Sequence, residues 1–256
     1  MPAATPIRTQ ADRADQARAR ILEAALQEFS ALGLAGARTD QIAAAAGVNK
    51  ALLYYYFESK ENLYVAALEM AAGRVRDSTM AVFLRDASAG ERILRTALNH
   101  FDRVVTQREF QSLMQQEMLR AHRGESSNLP LLVKRVFGPM HAMFQSLVRE
   151  GIESGELIRV DFWQIGLCAL GANVFYFMSA PVWRLVREDE GEPLSPQAIV
   201  ARRKAAVEFL GQALFMDRAH GAELAARVLA DTPAPEITPE TTFGPKLFGR
   251  HDESTQ

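Results

Sequence analysis

The sequence has one cysteine, Cys168, so no disulfide can form within the chain, which fits a reducing compartment. Cys168 lies on an apolar stretch without a charged neighbour and reads as a buried, inert thiol. No uninterrupted run of about 18 apolar residues is present and no basic-then-apolar leader opens the chain. The expectation is therefore a cytoplasmic protein with no membrane partner. The five histidines (100, 122, 141, 220 and 251) show neither HxxxH nor HExxH spacing, so no metal and no cofactor are expected. Gly-x-Ser-x-Gly, Gly-rich phosphate-loop and paired-carboxylate motifs are missing too. A helical enzyme with a substrate pocket is the rival of a different class, and these absences leave it without a nucleophile or an acid–base pair.

An excess of positive charge is also lacking. The formal net charge is −2, which argues against a generally sticky nucleic-acid binder. Residues 1–60 hold seven Lys/Arg (Arg8, Arg13, Arg18, Arg20, Arg38, Lys50, Lys60) against six Asp/Glu. Any reading as a DNA binder must therefore rest on a local motif. Finally, no stretch shows a strand-like alternation. The class is all-α with nine to ten helices, and 48% apolar residues suffice for a packed core.

What is present centres on residues 39–60, TDQIAAAAGVNKALLYYYFESK. Two short helical patterns flank a turn tight enough for a helix-turn-helix. Thr39 is placed to cap the first helix, with Asp40 in its first turn. Ile42, Ala43 and Ala46 make a narrow, small apolar face. Gly47 ends the helix where a left-handed residue is needed. Asn49 is a good N-cap for the second helix, and Val48 can staple onto Leu53. That second helix buries Leu53 and part of Tyr56, and turns Lys50, Ala51, Tyr54 and Tyr55 outward. Phenolic hydroxyls, flat rings and a cation on two turns of helix suit phosphate bonds and thymine methyl contacts in a major groove. A helical hairpin with its tyrosines half-buried against a neighbour is the plainer alternative, and an interaction module that has lost DNA binding is another.

The stretch GVNKALLYYYFESKENLY resembles the tetracycline-repressor (TetR/AcrR) family of one-component regulators. Its pattern of a Thr shortly before Ile-Ala, then Gly-Val, Leu-Tyr-x-Tyr-Phe and Ser-Lys-Glu is met by Thr39, Ile42, Ala43, Gly47, Val48, Leu53, Tyr54, Tyr56, Phe57, Ser59, Lys60 and Glu61. The resemblance spans about residues 13–68 by motif. It implies that Thr39 touches a phosphate, that Asn49, Lys50, Ala51, Tyr54 and Tyr55 enter or grip the groove, and that Lys60 holds a phosphate at a helix N-terminus. Asn49 stands where Ser is usual, which keeps the cap. Leu52 stands where a small hydroxyl residue is frequent, and a phosphate contact is in doubt there.

Taken in order, residues 1–12 read as a loose arm and residues 13–62 as the helix-turn-helix domain, with Phe29 plugging its core against Ile42, Leu53 and Phe57. Residues 63–216 read as a ligand-binding and dimerisation bundle. Residues 217–256 read as a tail, helical at first and then disordered, in which Phe243–Phe248 could pack on the body or a partner. Ser59, Ser88, Asp161 and Ser195 are cap signals. Pro139 should kink a helix that runs from Pro130 to about Ser154, and an apolar helix should run from Asp161 to Pro181.

Aromatic and methionine side chains concentrate on the bundle helices. Ordinary core is the first explanation for each, yet such interiors also suit small apolar ligands. The resemblance implies an inducer there. Phe101, Met114, Met118, Phe137, His141, Phe144, Asn173 and Tyr176 are the candidate ligand contacts, with His100 a further polar group among them. Small residues (Gly166, Ala169, Gly171, Ala172) and an apolar face (Val200, Ala206, Val207, Leu210, Leu214) point to a homodimer. The expected function is a ligand-responsive homodimeric repressor that binds a palindromic double-stranded DNA operator and is released by a small, mainly apolar effector.

Overall fold

The structure, a computed structural model, describes residues 10–186 and 191–237. The arm expected over residues 1–12 falls outside these except for its last three positions, which begin the first helix. The part of the tail from residue 238 on, Phe243–Phe248 included, also lies outside the described residues.

The chain is helical throughout its described length: α1 (Gln10–Gly36), α2 (Thr39–Ala45), α3 (Lys50–Phe57), α4 (Lys60–Phe83), α5 (Ala89–Thr106), α6 (Arg108–His122), α7 (Leu129–Leu132), α8 (Gly138–Glu153), α9 (Phe162–Gly166), α10 (Ala172–Met178), α11 (Ala180–Val186), α12 (Pro196–Leu214) and α13 (Arg218–Asp231). Among the described residues the nearest thing to a strand is an isolated bridge between Leu157 and Phe215. No single helix is long and apolar enough to cross a membrane. Phe162–Met178 and Ala180–Val186 are so only together, as a pair bent by 63°.

The described residues divide into two compact units. The first holds everything up to Arg74 together with Glu109–Leu132; the second holds Val75–Arg108 and the chain from Val133 on. The first unit thus reaches past residue 62, where the sequence put the end of the head, because α4 and α6 share its core. Phe29, Ile42, Leu53, Leu63 and Tyr64 are all buried there, and the Phe29 and Tyr64 rings meet edge to face at 5.0 Å. Ser112 Oγ and Gln116 Nε2 on α6 both donate to Ser30 O, a carbonyl freed because Gly33 (φ 68°, ψ 175°) breaks the regular ladder of α1.

A buried carboxylate closes this unit. Glu117 is fully buried and accepts from Tyr64 Oη (2.8 Å), Arg120 Nη1 (3.2 Å) and the Asn128 backbone N–H. Burial, reinforced by Glu117, holds the Tyr64 phenol well above the usual tyrosine range.

The second unit has two apolar cores. One gathers Ile93, Leu94, Leu98, Leu147, Leu157, Val207, Leu210, Leu214 and Phe215 against α13; the other gathers Phe101, Val104, Phe177 and Ile199. Val207, Leu210 and Leu214, expected at a dimer face, are therefore spent inside the chain. The helix expected to run through Pro139 is built differently: a π-helical turn at Val133–Phe137 takes up the irregularity, and Pro139 sits in the first turn of α8, where a missing N–H does no harm. The helix expected over residues 161–181 is likewise broken, by a π-helical turn at Leu167–Gly171 and by the bend at Ser179. Ser59, Ser88, Asp161 and Ser195 all accept from backbone N–H groups of the helix they open.

Candidate nucleic-acid interface and effector cavity

The helix-turn-helix is built by local rules. Ile42, Ala43 and Ala46 bury the inner face of α2, and Gly47 turns the chain at φ 65°, a conformation that strains any residue with a Cβ. Asn49 then opens α3: its Oδ1 accepts from Leu52 N at 2.7 Å. With the cap fixed, the helix period decides the faces. Leu53 and Phe57 point inward, while Lys50, Ala51, Tyr54 and Tyr55 are exposed, Tyr55 at 79%. The end of α3 is equally tight. Glu58 adopts φ 63°, ψ −47°, and Ser59 N bonds back to Phe57 O, so α3 and α4 are joined by a strained γ-turn.

The cations on this surface are held, not loose. Lys50 Nζ pairs with Asp40 at 2.8 Å, which holds the Asp40 carboxyl below its ordinary range and the Lys50 ammonium above its own. Lys60 Nζ donates to Ala35 O at 3.2 Å, and Arg20 Nε to Ala46 O at 3.0 Å.

The second unit contains a cavity of about 260 Å³. Its wall is formed by Thr79 and Phe83 of α4, by Ile93, Thr96 and Ala97 of α5, and by the two π-helical breaks and the helices beside them. From these last come Phe137, Met140, His141 and Phe144 on one side, and Phe162, Trp163, Gly166, Ala169 and Leu170 on the other. His141 stands edge-on to Phe162 (4.6 Å) and Trp163 (5.3 Å). The lining is almost wholly apolar, because the hydroxyls of Thr79 and Thr96 are turned to backbone carbonyls of Val75 and Arg92. Among the described residues no cluster of His, Cys, Asp or Glu is arranged to hold a metal.

An outward recognition helix in a three-helix head, with a small apolar cavity in a second helical unit, is an arrangement met in known proteins. The family model described as bacterial regulatory proteins, tetR family, matches residues 21–67. The transcriptional repressor NicS of Pseudomonas putida is 31% identical over 145 residues, which cover 56% of this chain and 68% of that protein. The chain belongs to the TetR family. It is a transcriptional regulator and not an enzyme. A regulator from Saccharomonospora viridis solved with choline shares the fold at a TM-score of 0.63 and 18% identity, covering 79% of this chain and all of that one. The regulator FadR of Bacillus subtilis, solved with stearoyl-CoA, does so at 0.54 and 19%, covering 75% and 96%.

In this TetR-family chain the seven residues expected at DNA all fall on the α2–α3 surface or at the start of α4. Thr39 differs in detail from the expectation. The N-cap of α2 is Arg38, without a side-chain bond, and Thr39 is buried with its hydroxyl 3.3 Å from that of Tyr54. The Tyr54 phenol competes for the hydroxyl that was expected to cap.

The eight expected ligand contacts scatter. Phe137, His141 and Phe144 line the cavity. Phe101 packs on Phe177 in the neighbouring core, and Asn173 lies beside His100. Tyr176 donates to Pro193 O. Met114 is buried in α6 and Met118 is exposed there, both in the first unit. Helical spacing showed which face each residue lies on, but not which core that face joins. Phe162, Met140 and Thr79 were missed, although the Asp161 cap signal and the proline at 139 already marked the irregular stretches beside them. Cys168 is also corrected: it is exposed, as are Leu167 and Leu170 beside it, because the outer side of this segment is left uncovered by the rest of the chain.

Proposed function

We propose that this chain is a ligand-responsive repressor that binds a palindromic operator as a homodimer and leaves it when a small, mainly apolar effector enters the cavity. The observation that carries this reading is the course of α4. The helix starts at Lys60, one tight turn after the recognition helix, and further along contributes Thr79 and Phe83 to the cavity wall. A molecule bound there acts on the same rigid rod, about 1.5 Å long per residue, that carries the head.

In this reading Lys50, Ala51, Tyr54 and Tyr55 meet base edges and phosphates, and Asn49, Thr39 and Lys60 grip the backbone. Lys50 exchanges Asp40 for a phosphate when DNA arrives. Dimerisation covers the exposed apolar side chains of the second unit, among them Phe175, Met178, Val182, Trp183, Val200 and Phe209. Two heads then read half-sites about 34 Å apart. The effector shifts the equilibrium only by its differential affinity for the DNA-bound and free states. Repression, as in the name of NicS, and a cytoplasmic location belong to the same reading.

Selection of bound duplexes from a random DNA pool tests it, with wild type beside Tyr54→Ala and Lys60→Ala. A palindromic site enriched by wild type and lost by both variants is the expected result. Enrichment of single half-sites would overturn the dimeric reading, and no enrichment by ligand-stripped protein would overturn operator binding itself.

A further inference from the structure

Helix α5 changes character along one stripe. Ile93, Thr96 and Ala97 face the apolar cavity, and the next turns of the same stripe bring His100 and Arg103, at i+4 and i+7 from Thr96. Seven residues of helix put Arg103 about 10 Å beyond Thr96. The change of polarity therefore falls within the length of a small molecule seated in the cavity.

Arg103 is only 9% exposed, yet no carboxylate among the described residues reaches it. Its neighbour Asp102 is committed to Arg203, with oxygen–nitrogen distances of 2.7 and 2.9 Å. The guanidinium uses Nη1 alone, donating to Val75 O (3.0 Å), Ser78 Oγ (3.2 Å) and Thr79 Oγ1 (2.6 Å). The three N–H groups on Nε and Nη2 have no acceptor among the described residues and keep some accessible surface, so they are open to a further partner. Thr79 is itself a cavity residue, so the cation lies one hydrogen bond behind the cavity wall.

Two further groups point the same way. Asn173 on α10 is 2% exposed, sits 3.5 Å from His100 Nδ1 through its amide nitrogen, and leaves Oδ1 with no partner. It also lines a second, smaller hollow that shares Ala97 and Ala169 with the main cavity. Burial and the nearby Arg103 keep His100 neutral, its pKa lowered to about 3, and burial alone lowers Arg103 to about 10. Buried charges are ordinarily paired, because an unpaired one loses its hydration and gains nothing in return.

We propose that Arg103, with His100 and Asn173 beside it, is the anion subsite of the effector cavity, so that the effector is a small amphipathic acid whose apolar body lies among Phe144, Phe162 and Trp163 and whose carboxylate supplies the missing counter-charge. The proposal rests on the reading of the cavity as the effector site. A volume near 260 Å³ limits the ligand to roughly ten to fifteen non-hydrogen atoms. The carboxylate accepts from Nε and Nη2, the fork that binds such groups two bonds at a time. One proton shared with Asn173 Oδ1 or His100 completes the set when the end group carries a hydroxyl as well.

Titration calorimetry at pH 8 on the full chain tests this with two matched pairs, decanoate against methyl decanoate and 2-naphthoate against its methyl ester, all below micelle-forming concentrations. The expected result is that the acid of at least one pair binds about tenfold to a hundredfold tighter than its ester, the range of a charged hydrogen bond. Arg103→Gln should abolish that preference while leaving ester affinity unchanged, and Arg103→Lys should keep most of it. Equal affinity of acid and ester for wild type would overturn the anion subsite and leave the apolar cavity standing. A preference that survives Arg103→Gln would overturn the assignment to Arg103. If none of the four binds, the cavity reading falls and the proposal with it. Should Arg103→Gln fail to fold, the wild-type preference and the lysine variant still decide.

Discussion

Glu117 in the first unit and Arg103 in the second are both buried charges, and they are treated in opposite ways. In the first, Glu117 is surrounded: a phenol, a guanidinium and a backbone N–H all donate to it. In the second, Arg103 is buried, though less completely, and has neutral acceptors on one nitrogen and no counter-charge. A saturated buried charge locks the elements that supply its partners, here α4, α6 and the segment before α7. An unsaturated one keeps part of its electrostatic attraction available for something that is not yet bound. The first arrangement suits a fixed scaffold, the second a site that can still take up a partner.

The comparison can be broken at either end. Glu117→Ala strands three donors in a dry core and should lower stability by about 3–5 kcal/mol in urea unfolding; a loss below about 1 kcal/mol would show that Glu117 locks nothing. His100 provides the next largest effect. Its folded pKa, near 3, lies below the ordinary 6.5, so the unfolded chain takes up the proton first and stability falls as pH drops from about 6.5 toward 3. The slope should approach 1.4 kcal/mol per pH unit within that window and flatten in His100→Asn, as followed by denaturant midpoints at a series of pH values. Tyr64→Phe removes one donor from Glu117 and should lower stability by about 1–3 kcal/mol. Because the Tyr64 phenol is held above its usual range, the same change should blunt the loss of stability that wild type shows as pH rises above 10. The smallest effect belongs to Arg103→Met. Three hydrogen bonds are lost, but so is the desolvation of an unpaired cation, and the net change should stay within about 1 kcal/mol. A loss as large as that of Glu117→Ala would erase the contrast between the two charges.

The outward face of α3 was legible in the sequence residue by residue. Asn49 as cap, Gly47 as the left-handed turn and the outward set Lys50, Ala51, Tyr54 and Tyr55 all follow from chemistry acting over four residues or fewer. The apolar cavity was legible only in part. Phe137, His141 and Phe144 were found by type, whereas Met114 and Met118 share that type but lie on α6 in the other unit. Nothing in a helical period distinguishes a residue facing a filled core from one facing a hollow. The wall at Ala169 lies within the π-helical turn at Leu167–Gly171, where the regular helical spacing that the sequence pattern assumes no longer holds. The capping role expected of Thr39 was not met because its hydroxyl lies beside a partner fifteen residues away, Tyr54.

Sequence by itself determined that the chain is all helix, where its helices are capped, and which face of α3 is presented, because caps, glycine turns and helix periodicity are short-range effects. The tertiary structure decided which helices share a core, that α6 belongs with α4 and Glu117, that a cavity stands between two irregular turns, and that Arg103 is buried without an anion. These depend on groups distant in the chain meeting at a few ångströms, and on the dry interior that makes an unpaired charge matter once they do.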